Sequence, residues 1–329
     1  MASSHPGIRN YLAILHTITP SHLLPPSQTP INAGQPFSPR HLQSKGLLNI
    51  NNTCCHLSLI LCFHRINLKI CFDHQTAQND VVSLCLLEIL KALPSNNAFS
   101  VMPFVDVWNS VRPGQRIGQN EAIQTLSDLI LDHLPLQSNG PRPVLTQFTA
   151  SYQCHHCCHQ VQDLQYWDNK PFSRIPIVNV VEGHAPLPAP GDPPIQIGNL
   201  LTSMLQTPFQ IRCSSCNRFT EGRYRVKLGD FTFVNINRFH HRLPHNQIIR
   251  IRLSETRTAG VGETYLGTLV SCISHMGFGT DQGHYVSYHQ VGGTWFLNDD
   301  SRNIQQVGYH PFRSPVQGET VNFLVYKNS

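Results

Sequence analysis

The chain has 329 residues, a length suited to one large domain or two ordinary ones. Apolar residues make up 40% and charged residues only 13%, so the chain can fill a sizeable core and global disorder is excluded. The net charge of +5 reflects few acids (19) more than many bases (24). The Lys and Arg residues form no run, which argues against a nucleic-acid partner. A membrane-spanning helix needs about 20 consecutive apolar residues. The best candidate, Leu57 to Phe63, contains Ser58 and stops at His64 and Arg65, so no helical membrane span is expected.

Residues 1–45 are rich in Pro, Ser, Thr and His, lack a sustained period, and are expected to be a disordered leader. Thr53 to Ile66 is apolar enough for a buried helix, with Asn51, Asn52 or Thr53 as its cap. Asn79 to Leu93 has helical spacing, and Val101 to Trp108 fits a further short helix. Gln119 to Leu134 is the clearest amphipathic helix, with Ala122, Leu126, Leu129, Ile130 and Leu134 on one side. After about residue 145 the pattern turns to short β-prone runs: Phe148–Gln153, Ile175–Val181, Phe209–Arg212, Tyr224–Lys227 and Phe231–Arg238. A Pro-rich loop, Pro186 to Pro194, interrupts them. The C-terminal part predicts strands over Ile248–Leu253, Tyr265–His275, His284–Val291, Thr294–Leu297 and Val321–Tyr326. Helices first and strands later point to an α+β fold rather than to alternating βαβ units.

The chain has 11 cysteines, an odd number, and its N-terminus shows no basic-then-apolar signal sequence. A secreted disulfide framework fits poorly; a reducing, cytoplasmic and/or nuclear setting with metal-binding or catalytic cysteines fits better. Cys154-His-His-Cys157 and Cys213-Ser-Ser-Cys216 are two CxxC pairs, each at the end of a predicted strand. A two-residue gap lets one tight turn present two sulfurs to one ion, and four thiolates suit tetrahedral Zn²⁺. Four cysteines leave no open position for catalysis, so the expected role is structural. The 55 residues between the pairs exceed a compact zinc ribbon, and Cys158 and the flanking histidines leave the ligand set open.

A cysteine nucleophile needs a low thiol pKa, an imidazole base and a group that orients the imidazole. Cys54 lies at the predicted start of an apolar helix, where backbone N–H groups and the helix dipole favour thiolate. Asn49, five residues earlier, is placed to donate to an oxyanion beside the sulfur. Downstream, Gly283-His284-Tyr285 falls in a strand-like run, and Asn298-Asp299-Asp300 follows 14 to 16 residues after His284. A hairpin of that length brings an Asp or Asn beside the histidine. Each residue also has an ordinary structural reading: a core thiol, one of 19 histidines, and two turn aspartates.

The run Gly46-Leu47-Leu48-Asn49-Ile50-Asn51-Asn52-Thr53-Cys54 resembles the cysteine box of ubiquitin-specific proteases, and Gln119-Asn120-Glu121-Ala122 resembles their QQDA box. His275-Met276-Gly277, Gly283-His284-Tyr285-Val286, Trp295 to Ser301 and Phe323 to Tyr326 are similar to their histidine box. The two CxxC pairs stand between these boxes, as in the family's fingers, and the matches run in the family's order over residues 46–327. The resemblance implies a papain-like α+β fold over residues 46–329, with a helical thumb, a β palm and zinc-bearing fingers at about 148–235. It implies hydrolysis of the bond after the C-terminal glycine of ubiquitin by a monomeric thiol protease. Cys54 is then the nucleophile, His284 the general base and Asp299 the orienting residue. Asn49 stabilises the oxyanion, Asp300 gives second polar support, and Cys154, Cys157, Cys213 and Cys216 hold Zn²⁺. Asn298 is an alternative third member of the triad.

The sequence also departs from these boxes. Asn51 stands where the family has glycine, and Cys55-His56-Leu57 replaces Tyr-Met-Asn after the nucleophile, which places a competing thiol beside it. Glu121 replaces Asp, and Gln124 and Thr125 replace Glu and Phe. A neutral Gln124 gives up a charge-assisted contact worth roughly 1.5–3 kcal/mol where it is made. These changes bear on substrate binding more than on the triad. They fit weak activity, a related modifier, or a catalytically inactive ubiquitin-binding domain of the same fold.

Overall fold

The computed structural model describes residues 53–68, 80–93, 99–117, 143–164, 207–237, 267–277, 283–299, 304–308 and 319–328. Short pieces at 47–48, 72, 130, 134, 136, 166–167, 170–171, 177–179, 195–196, 201 and 253–254 are also described. The predicted leader, most of the predicted helix at 119–134, Asn49 and Asp300 lie outside these residues. Three helices come first: α1 (Cys54–Arg65), α2 (Val81–Ala92) and α3 (Met102–Val111). The longer strands follow as β1 (Gln147–Gln153), β2 (Gln160–Leu164), β3 (Phe209–Arg212), β4 (Phe219–Lys227) and β5 (Phe231–Asn237). They continue as β6 (Gly267–Met276), β7 (His284–Val291), β8 (Thr294–Asn298), β9 (Gln305–Val307) and β10 (Glu319–Asn328). Residues 1–136 and 285–308 form one compact unit, and residues 137–284 and 309–329 form a second.

In the first unit α1 is buried along its whole length, including His56, His64 and Arg65. Its apolar run explains this, since a helix hydrophobic all round belongs in a core. Helix α2 starts at Asp80, whose carboxylate accepts from the Ser83 N–H at 3.1 Å and satisfies one of the free donors of the first turn. Helix α3 begins with Pro103 in its first turn, where a missing N–H costs nothing. It buries Phe104, Val105, Val107 and Trp108. In the same unit β7 and β8 form a hairpin in the register Ser287↔Asn298 to Val291↔Thr294, with β9 paired on the far side of β8. Gly292 (φ +57°) and Gly293 (φ +84°) make its two-residue turn, where both central residues need left-handed backbone.

Among the described residues, the second unit holds two larger sheets besides two short two-stranded pairs. One is four-stranded, antiparallel, in the order β2-β1-β4-β3. Phe148, Ala150 and Tyr152 of β1 alternate inward, and Tyr152 packs with Ile211, Cys154 and Cys213 in a small core. In the other, β10 pairs antiparallel with both β6 and β5, and the strand Ile177–Asn179 lies parallel on the free side of β5. Phe233 and Phe323 meet edge to face there, with ring centroids 5.5 Å apart. A buried polar lattice closes one end of this unit. Asn328 donates to Thr232 Oγ1 and to the Gly229 carbonyl, both at 2.8 Å, while Thr146 and Thr232 share a hydrogen bond of 2.8 Å. This antiparallel-rich α+β architecture with few helices is the one the sequence led us to expect.

Candidate functional site

Strands β1 and β3 each run into a tight turn that ends in a cysteine pair, and the two turns repeat one geometry. In the first, the Cys154 N–H donates to the His159 carbonyl at 2.8 Å and the Cys158 N–H to the Cys154 carbonyl at 2.9 Å. In the second, the Cys213 N–H donates to the Arg218 carbonyl and the Asn217 N–H to the Cys213 carbonyl, both at 2.8 Å. Cys158 and Asn217 occupy equivalent positions, each with φ +58°. The structure thus sets Cys158 apart from the other four cysteines of the two turns. Cys158 is the exposed, left-handed residue that lets its turn close, while Cys154, Cys157, Cys213 and Cys216 place their sulfurs within 4.8 Å of one another.

The donor set fits a tetrahedral thiophilic ion. Zn–S bonds of about 2.3 Å imply S–S edges of about 3.8 Å, and the closest pairs here are Cys154–Cys216 at 3.5 Å and Cys157–Cys213 at 3.6 Å. Desolvation pushes the Cys213 thiol up, but the N–H groups of Cys216 and Ser215 and the sulfurs of Cys157 and Cys154 outweigh it and bring it down to about 6. Cys216 is pushed up to about 11: the Arg218 N–H favours its thiolate, while desolvation and the three neighbouring sulfurs oppose it. Four sulfurs this close cannot all ionise alone, and a divalent cation removes that conflict. Around them, the Tyr152 hydroxyl accepts from the Ser214 N–H at 2.9 Å, and His159 Nε2 lies 3.2 Å from Ser214 Oγ. His159 therefore supports the second turn, and the four-sulfur group contains no histidine.

Cys54 is the first residue of α1 and is 6% exposed. Thr53 precedes it as N-cap without a side-chain cap bond, so the N–H groups of this first turn face the thiol end of the helix uncapped by a hydroxyl. Cys55, the competing thiol, is 1% exposed, and its Sγ lies 3.1 Å from His56 Nδ1. Burial lowers the His56 imidazole to about 4, so the ring is neutral, and both residues sit in the core.

His284 is the first residue of β7, and Asp299 directly follows β8. The Ser287↔Asn298 pairing places Asp299 beside the N-terminal half of β7, as the predicted hairpin requires. Asn298 points the other way and is 1% exposed, with neither amide atom hydrogen-bonded among the described residues. The group lying against Gly283 is the imidazole of His275. No sequence period could have announced that contact, because it joins the end of one strand to the start of the next.

A family model described as ubiquitin carboxyl-terminal hydrolase matches residues 45–326. Among solved structures, the SAGA DUB module Ubp8/Sgf11/Sus1/Sgf73 bound to monoubiquitin superposes with a TM-score of 0.52 at 16% identity, over 99% of this chain and 76% of that one. The same module bound to ubiquitin aldehyde gives 0.51 at 17% identity, over 98% and 74%. At these identities the likeness is one of fold.

Proposed function

Since the chain belongs to the ubiquitin carboxyl-terminal hydrolase family, we propose that it is a thiol-dependent deubiquitinase that cleaves the peptide or isopeptide bond after the C-terminal glycine of ubiquitin. The observation that supports this reading is Cys54, which opens a buried helix within the run that resembles the family's cysteine box. The structural neighbours bound to ubiquitin and ubiquitin aldehyde support ubiquitin as the partner.

In this reading Cys54 passes its proton to His284 as its sulfur adds to the scissile carbonyl carbon. Asp299 orients His284, with Asp300 as second support, and Asn49 donates to the oxyanion. His284 passes its proton to the leaving amine as the C–N bond breaks. Water, deprotonated by the same imidazole, then releases the ubiquitin carboxylate and returns the thiol. Cys154, Cys157, Cys213 and Cys216 would hold a Zn²⁺ whose contribution is to cross-link the two turns, away from the bond-breaking chemistry.

The test uses the full chain and ubiquitin carrying a thiol-reactive C-terminal group, read by adduct mass. One adduct on wild type, absent from Cys54→Ala, is the expected result. Folded, zinc-loaded protein that binds ubiquitin and forms no adduct would establish the second reading, an inactive ubiquitin-binding domain. The altered residues around Cys54 and in the 119–125 segment favour that alternative.

A further inference from the structure

Gly283 has no room for a side chain. A Cβ built there would overlap Nε2 and Cε1 of the His275 ring and approach the Met276 carbonyl oxygen. The ring edge of His275 therefore lies directly on the main chain that leads into His284. His275 is 3% exposed and is carried by β6, where it pairs with Thr320 of β10 and its neighbour Ser274 pairs with Val321. Its backbone is thus fixed by an antiparallel ladder, while the segment it presses on is where β7 begins.

The electrostatics of the pair point the same way. Burial, and then the charge of His284, lower the His275 imidazole to about 4. His284 is the charged group acting on it among the described residues. At neutral pH His275 is thus an uncharged wedge, and it leaves His284 free to carry a proton without a second cation beside it.

We propose that His275 is a positioning residue for His284: its ring, seated against Gly283, sets the direction in which the His284 side chain leaves the strand and keeps water from its flank. This rests on His284 being the general base. Replacing the ring by a methyl group opens space for water beside His284. That loosens its orientation and favours its charged form, so its titration midpoint moves up.

The experiment follows His284 by two independent readouts in the zinc-loaded full chain. In the first, NMR pH titration of the ring Cε1–H signal is carried out in a Cys54→Ala background, where no activity is needed. His275→Ala is expected to raise the His284 midpoint by about half a pH unit or more, and Gly283→Ala to displace it as well. In the second, hydrolysis of a fluorogenic ubiquitin amide is expected to lose roughly tenfold or more in kcat for His275→Ala with KM within about twofold. His275→Phe, which keeps a ring on Gly283, should recover most of that loss. If His275→Ala does not fold, His275→Asn carries both measurements. An unchanged His284 midpoint together with unchanged kcat overturns the proposal. A wild type that shows the titration coupling but hydrolyses nothing would instead sink the hydrolase reading, leaving the His275–His284 contact established.

Discussion

The four-cysteine centre and the candidate catalytic residues are specified in opposite ways. All four sulfurs come from two short turns of the same design, and each turn is closed by its own backbone hydrogen bonds and one left-handed residue. Such a site is written locally, so spacing alone reveals it. Cys54, His284 and Asp299 come from a helix N-terminus, the start of one strand and the end of another, far apart in the chain. Their chemistry depends on what burial and neighbouring elements do to each, and that part of the design has no sequence period.

The largest effect should come from breaking the local site. Chelation of the metal, or Cys213→Ser, is expected to abolish the slow hydrogen exchange of the turns at 154–159 and 213–218 and to loosen strands β1 and β3, which run into them. Most of that sheet's small core is the cysteines themselves with Tyr152 and Ile211. Cys158→Ser should leave one zinc per chain, measured by mass spectrometry of the native protein. A loss of zinc in that variant would overturn the assignment of Cys158 as a turn residue.

Next comes the dispersed site. Cys54→Ala should lower hydrolysis of a ubiquitin amide by at least about a thousandfold, equivalent to roughly 4 kcal/mol in the barrier, with an unchanged thermal midpoint. Residual activity through Cys55 would break the comparison, because the structure ties that thiol to His56 in the core.

How much was legible follows the same division. Helices α1, α2 and α3 announce themselves by apolar spacing and end within a few residues of their expected limits. Strands β2 (Gln-Val-Gln-Asp-Leu) and β9 (Gln-Gln-Val) were not foreseen, because polar edge strands carry no hydrophobic alternation. Strand β4 was expected from Tyr224 but begins at Phe219. Gly222 hides its first half, although the residue is suited to that place: a Cβ there would come within 2.8 Å of the Phe209 ring. The four-cysteine group was readable down to one ambiguity, Cys158. The Gly283–His275 contact and the burial of His56, His64 and Arg65 in α1 and of His289 in β7 were not readable at all, since a polar residue in an apolar helix or strand does not say which way it faces.

Those buried histidines set the third prediction. Burial lowers His56 to about 4, and burial followed by the charges of Arg65 and His64 holds His289 well below its usual range. Both depressed groups are neutral in the fold, while in the unfolded chain they bind a proton below about pH 6.5. Unfolding therefore takes up protons as pH falls under that value, and stability drops by about 1.4 kcal/mol per pH unit for each group. For His56 the loss runs from about pH 6.5 to about 4. Urea midpoints at pH 7.5, 5.5 and 4.5 should fall in that order, and His289→Gln should flatten the slope. A flat profile would mean that these rings are hydrated, and the reading of His56 and His289 as desolvated core groups would fail.

The smallest effect tests whether local legibility extends into the first unit. Asp80 is to α2 what the left-handed residues are to the cysteine turns: a single side chain that closes a terminus by its own short-range bonds. Its carboxylate accepts from the Ser83 N–H and hydroxyl, and Arg112 Nη2 stands 3.5 Å away across to the end of α3. Asp80→Ala should cost about 1 kcal/mol, nearly all of it from the lost cap, because the ion pair, partly exposed and 3.5 Å long, contributes little. Asp80→Asn keeps an acceptor for the Ser83 N–H and removes the charge, so it should recover most of the loss, while Arg112→Gln should change stability by less than about 0.5 kcal/mol. If Arg112→Gln cost as much as Asp80→Ala, the residue would matter as a link between α2 and α3. The first unit would then lack even this locally written feature.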